Sequence, residues 1–280
     1  VEYLSYIKEL QAFVDNKYLP DVIAVAQAFP QYFGIGKGCG NFLSYGVFEE
    51  NNEGSELFLN RGAVIDGAFQ EFDKMKINEY VNFSKFKSES GLHPWDGNTE
   101  PDPDKEGAYS FVKAPRYNDA VVEVGPLART VVSYMSGKND AVKNIVDATC
   151  ASVGIQIPDL FSVLGRHAAR ALECKLVADR CAEWAMEVKL GQPVATPFTI
   201  PSESQGVGFC EAPRGSVSHW IKIEDSVIDN YQVVAPTTWN CSPRDDEGRL
   251  GAVEQALIGT PVADLENPIE PTRVVRSFDP

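Results

Sequence analysis

With 280 residues, 44% of them hydrophobic, the chain can bury a sizeable core as one large domain or two small ones. Its net charge of −15 speaks against nucleic acid, since no basic stripe is present to neutralise phosphates. No run of about 18 apolar residues suits a membrane span, and the opening VEYLSYIKELQAF lacks the basic segment and apolar core of a secretory signal.

Residues 1–31 read as helix. Tyr3, Leu4, Ile7, Leu10, Phe13 and Val14 recur at three- and four-residue steps on one stripe, and Pro20 is expected to restart a second helix, DVIAVAQAF. Residues 33–70 are glycine-rich and then strand-like. GIGKGCG invites a phosphate-loop reading, but it has no GK[ST] ending and no strand–loop–helix context, so a turn-rich β segment is favoured. Residues 88–118 are dense in turn formers and read as a surface loop. Pro126 to Ser136 and Asp140 to Ser152 then read as two helices separated by Ser-Gly.

The strongest helical signal runs over 159–190, without an internal Pro until Gly191-Gln-Pro193 ends it. His167 sits in its apolar face and is expected to be a satisfied core histidine rather than a ligand. From 206 to 235 the period changes to two, giving three successive strands with a turn at Glu224-Asp225-Ser226. A short final helix is expected over 247–258, with an irregular, Pro-rich tail from Thr260. The fold class is therefore mainly α with a smaller β portion, an α+β chain around a core of long helices.

Cys39, Cys150, Cys174, Cys181, Cys210 and Cys241 form no CxxC pair and no disulfide framework. Free buried or half-buried thiols are expected. Cys174 and Cys181 share a helix face, but two thiols make a poor metal site. In EAPRG, Arg214 sits on stiff backbone between Pro213 and Gly215, which suits planar recognition or a fixed electrostatic contact. A surface arginine at a turn explains the same pattern. The hydroxyls of PTTWN and the Asp279-Pro280 pair are equally ambiguous on their own. The residues alone stop at a mixed helical domain with a candidate site near Arg214.

The order of GLHPWDGNTEP, SFVKAPRY, VEVGPLAR, EAPRG, PTTWN and RSFDP resembles the large, catalytic subunit of uptake-type nickel–iron hydrogenases, over essentially the whole chain. The resemblance implies one partial large-subunit domain, 1–280. It would have a helical core at about 1–31 and 124–192, β-rich segments at about 40–70 and 206–235, and a catalytic C-terminal segment at 206–280. The family's centre is a nickel and an iron bridged by cysteine thiolates, the iron also carrying cyanide and carbon monoxide. Both CxxC motifs that ligate it are absent from this sequence, which reads as a C-terminal part of the subunit.

By resemblance, Arg214 is the arginine over the open metal position and favours heterolytic splitting of H2 by its charge, and Asp279 pairs with it. The Arg214 N–H and the Thr237 hydroxyl correspond to donors for the cyanides. Ala212, Pro213 and Val217 correspond to an apolar wall around carbon monoxide, and Pro280 adjoins the cofactor; leucine is more usual at position 217. The Val233 carbonyl corresponds to a ligand of a structural magnesium. His93 resembles a histidine near the electron-transfer side, with a turn-stabilising role as the alternative. The implied partner is a small subunit carrying iron–sulfur clusters, with H2 and protons as substrates. The implied location is the periplasm, membrane-associated only through partners. The alternatives are a catalytically silent relative, such as the quinone-site subunit of respiratory complex I, and a purely structural piece.

Overall fold

The computed structural model describes residues 2–51, 53–193 and 195–280; positions 1 and 52, which fall in the expected helix and β segments, lie outside them. The chain opens with α1 (Glu2–Phe13) and α2 (Leu19–Ala28). The second helix is present as expected. A π-helical turn, Val14–Tyr18, carries the chain continuously from one to the other, and Pro20 falls in the first turn of α2, where its missing N–H is harmless. Ile7 and Val14 are buried, but the rest of the expected stripe is not: Tyr3 is 77% exposed and Phe13 57%.

Short antiparallel strands follow: β1 (Phe42–Ser44), β2 (Val47–Glu49), β3 (Leu57–Leu59), β4 (Gly62–Ile65) and β5 (Ala68–Gln70). They pair as a β1-β4-β5 sheet and a β2-β3 ribbon. β6 (Ile77–Tyr80) pairs with β7 (Ala114–Tyr117), and the turn-rich loop lies between them.

α3 (Pro126–Ser136) is buried over its first eight residues and forms the centre of the molecule. Pro126 fits its first turn and Gly137, in the left-handed region, ends it. α4 (Asp140–Val153) is capped by the Asn139 side chain, which accepts from Val142 N at 3.0 Å. α5 (Val163–Glu187) starts later than its periodicity suggests. Pro158 sits in a 3-10 turn, and Ser162 caps the helix through Gly165 N at 3.1 Å. Only glycine fits at 165, where a Cβ would come within 1.9 Å of the Leu160 carbonyl oxygen.

β8 (Ser204–Ala212), β9 (Gly215–Glu224) and β10 (Val227–Val234) form the expected meander. The C-terminal region is more helical than its composition suggests. α6 (Pro236–Asn240) and α7 (Ala252–Leu257) are followed by α8 (Ile269–Ser277), inside the tail expected to be irregular. Pro271 lies in the first turn of α8, so it starts that helix rather than preventing it.

One apolar cluster joins α3, α4 and α5 to β1, β3 and β4. A second, around Tyr45, Trp220 and Trp239, lies under β9. A third packs α7 and α8 on the start of α5. The third is continued by ion pairs that no local pattern announces. Arg116 and Asp245, both with side chains 0% exposed, meet at 2.6 Å. Arg116 also donates to the carbonyls of Pro243 and Arg249, tying β7 to the loop before α7. Burial pushes the Asp245 carboxyl up, but the bonds from Arg116 and Arg249 outweigh it and hold it below the usual carboxylate range.

Removing Asp245 strands a buried guanidinium, so Asp245→Ala is expected to cost about 3–5 kcal/mol, read from urea unfolding of the folded protein at neutral pH. Because the folded carboxyl titrates below the unfolded one, its contribution is complete at neutral pH and is lost as pH falls from the ordinary carboxylate range through the lowered value. The deficit of Asp245→Asn should therefore shrink on acidification.

Candidate functional site

The turn between β8 and β9 is Pro213-Arg214, and it lifts Arg214 to the surface, with its side chain 51% exposed. The backbone beneath it is tightly specified. A Cβ on Gly215, at φ +132°, would stand 2.6 Å from Gly125 N, and one on Gly125, at φ +122°, would stand 3.0 Å from the Arg214 carbonyl oxygen. Two main chains thus cross in direct contact, and the VEVGP and EAPRG segments need their glycines for that reason.

Below the crossing lies a buried charge network. Glu211 accepts from Tyr45 N at 2.7 Å, from the Ser216 hydroxyl and from Arg129. Arg129 is also bound by Glu173, so its two carboxylates outweigh the burial that opposes its charge and raise its pKa. Burial pushes the Glu211 carboxyl up, against the pull of Arg129 and Ser216.

Asp279 reaches the site from the other end of the chain. Arg166 on α5 binds Glu123 through Nε and Nη2, both at 2.8 Å, and its guanidinium lies 3.6 Å from the centre of the Phe278 ring. It also donates to the Ser277 hydroxyl at 3.3 Å, while Arg170 donates to the Ser277 carbonyl at 3.3 Å. This clamp delivers Asp279, at φ +56°, to Arg214, with Oδ2 3.6 Å from Nε. Ala212, Pro213 and Asp279 border a cavity of about 370 Å³ that Arg129, Arg170, Glu173 and Cys174 also line.

Thr237 stands in the first turn of α6. Asn240 of that helix grips both the N–H and the carbonyl of Val124, each at 3.0 Å, and Val124 abuts Gly215. Thr237 is therefore fixed relative to the EAPRG turn through Val124, although among the described residues no hydrogen bond joins it directly to Arg214. The Arg214 N–H and the Thr237 hydroxyl form no hydrogen bond among the described residues. Val217 is half-buried opposite Cys210, Val233 lies in β10 opposite His219, and Pro280 is exposed beside Asp279.

The two histidines singled out from sequence behave differently. His93 stabilises a turn: its Nδ1 accepts from Trp95 N, its carbonyl accepts from Asp96 and Gly97, and its ring packs against Trp95 and Trp220. His167 is not a core histidine. It is exposed, and the buried position beside it belongs to Arg166. The six cysteines are free, with Cys210 exposed. Among the described residues no group of three or more His, Cys, Asp or Glu is placed to hold a metal ion.

Arg129, Arg166, Glu123 and Glu173 were not singled out from sequence. Their signal is a charged residue inside an otherwise apolar pattern, as in VEVGPLAR, and it names no partner.

Gly215→Ala should be more destabilising than Gly40→Ala, by about 1–3 kcal/mol. Both positions have positive φ, but a Cβ at Gly40 meets nothing within 4 Å. Thermal unfolding of the two variants checks this.

Residues 1–280 match the family described as nickel-dependent hydrogenase. The periplasmic NiFeSe hydrogenase large subunit of Desulfomicrobium baculatum is 41% identical over 100% of this chain and 55% of its own length. The uptake hydrogenase large subunit of Rhizobium leguminosarum bv. viciae is 41% identical over 99% of this chain and 53% of its own. Among solved structures, the NiFeSe hydrogenase of Dm. baculatum superposes with a TM-score of 0.90 at 41% identity, covering 100% of this chain and 58% of that one. The Ni-Fe-Se hydrogenase of D. vulgaris Hildenborough superposes at 0.91 and 41% identity, covering 100% and 59%. The chain spans about half the length of the curated relatives it matches.

Proposed function

The chain belongs to the nickel-dependent hydrogenase family, and from that membership we propose that it is the part of a large subunit that surrounds a nickel–iron centre and sets its electrostatics. The whole enzyme then oxidises H2 reversibly to two protons and two electrons, which pass to a small subunit carrying iron–sulfur clusters. The observation that carries this reading is the pairing of Arg214 with Asp279, residues far apart in sequence, beside a cavity walled by Ala212 and Pro213. The named relatives are hydrogenases, which does not favour the reading as a catalytically silent complex I subunit.

The described residues suit the surroundings of such a centre and do not supply its ligands. When bound, the centre supplies the metal at which H2 is polarised. Around it, the Arg214 N–H and the Thr237 hydroxyl, neither hydrogen-bonded among the described residues, are donors for cyanide nitrogens. Ala212, Pro213 and Val217 supply an apolar wall against carbon monoxide, and Pro280 flanks the same space. The Arg214 guanidinium is a cationic fork of donors with no acceptor, so it stabilises developing negative charge rather than taking the proton. Asp279 keeps that guanidinium in place.

The Val233 carbonyl is one oxygen ligand for a structural magnesium, a hard cation that suits such donors. A relative named periplasmic supports a periplasmic site of action, with membrane attachment through partners as part of the same reading. No helix of the described residues is long and apolar enough to cross a membrane.

Hydrogen-dependent dye reduction by the assembled enzyme tests this function. Arg214→Lys keeps the charge but loses the planar fork, and is expected to slow turnover by about 10²-fold or more with nickel content unchanged. Turnover near that of the unmodified enzyme would refute the role given to Arg214.

A further inference from the structure

We propose that Arg129 is a positioning residue for Arg214, fixing the direction of its N–H and the base of its side chain. The inference rests on the functional reading above and extends it to a buried residue of α3 to which that reading gives no role. Arg129 lies on α3 with its side chain 2% exposed, and all of its donors are committed. Nε and Nη2 meet the two Glu173 oxygens at 2.8 and 2.7 Å, and Nη1 meets Glu211 Oε2 at 2.8 Å. The remaining two bonds go from Nη1 to the Ala212 carbonyl at 3.0 Å and from Nη2 to the Pro213 carbonyl at 3.2 Å. A guanidinium has five N–H donors, so none is left over.

Those two carbonyls belong to the residues directly before Arg214. In a trans peptide the C=O and the following N–H point to opposite sides of the bond. With the Pro213 carbonyl drawn toward α3, the Arg214 N–H is turned away from the helix, and among the described residues it has no backbone partner. The contact between Gly125 and Gly215 prevents the turn from rotating as a block to escape this constraint. Glu173 and Glu211 keep Arg129 charged and oriented in a place where burial alone would oppose its charge. A lysine at 129 would offer three donors from one nitrogen and could not serve two carboxylates and two carbonyls together.

The test uses the assembled enzyme carrying Arg129→Lys. Nickel content, KM for H2, kcat and the infrared stretching bands of the iron's cyanide and carbon monoxide ligands are compared with the unmodified enzyme. Nickel content and KM should hold. kcat should fall by about 10- to 100-fold, as expected for a small misplacement of a fixed group. One cyanide band should shift more than the carbon monoxide band. A lowered melting temperature with unchanged kcat and unchanged bands would show a merely structural ion pair and overturn the proposal. If Arg129→Lys does not assemble, Glu173→Gln weakens the same fork at its half-exposed end and must give a smaller shift of the same band; an unmoved band overturns the proposal. The underlying hydrogenase reading fails on a separate signal, an unmodified enzyme with neither hydrogen-dependent dye reduction nor cyanide bands.

Discussion

Two remote stretches of chain come together on the guanidinium of Arg129 in α3: Glu173 of α5, and the end of β8 with its turn, through Glu211 and the Ala212 and Pro213 carbonyls. Without a buried cation here, two carboxylates and two carbonyls would face one another across the contact between α3 and the β8–β9 hairpin. The central helix, the long helix and the meander are thereby locked in one relative arrangement. The backbone of the exposed Arg214 inherits its position from that arrangement, and Asp279 faces its guanidinium at 3.6 Å.

Arg166 repeats the device at the other end of the site, with Glu123 as its counter-ion and Phe278 stacked on its face. Arg116 with Asp245 repeats it again beneath α7. Buried pairs of this kind contribute little net stability compared with well-packed apolar residues, because desolvation offsets most of the Coulomb attraction. What they supply is direction: each fork donates to acceptors arranged in its own plane. A site that presents a charge at a fixed angle has use for that property, and an apolar core would not provide it.

The helices α3 and α4 and the β8–β10 meander were legible in the sequence because periodicity, caps and turn residues agreed there. The Pro-rich composition of the tail conceals α8, because Pro271 lies in the first turn of that helix, where proline is tolerated. The EAPRG and RSFDP motifs located the exposed pair, but the supporting arginines stayed hidden, since their partners lie 43 to 83 residues away for Arg166 with Glu123 and Arg129 with Ala212. Long-range pairing of this kind leaves no local pattern. His167 was misplaced as well. Successive helix residues point in different directions, and the buried positions at the start of α5 are Val163, Leu164, Gly165, Arg166 and Ala169, which leaves His167 outside.

The outer face of α1 has a practical consequence. Tyr3, Tyr6, Leu10 and Phe13 form an uncovered apolar stripe on a molecule whose net charge is −15. At low ionic strength, repulsion between like-charged copies holds such stripes apart. Salt shortens that repulsion to about 8 Å at physiological strength and leaves the apolar attraction in place. Handled alone, the chain becomes more adhesive as salt is added, so dilute, low-salt buffers favour its monodispersity.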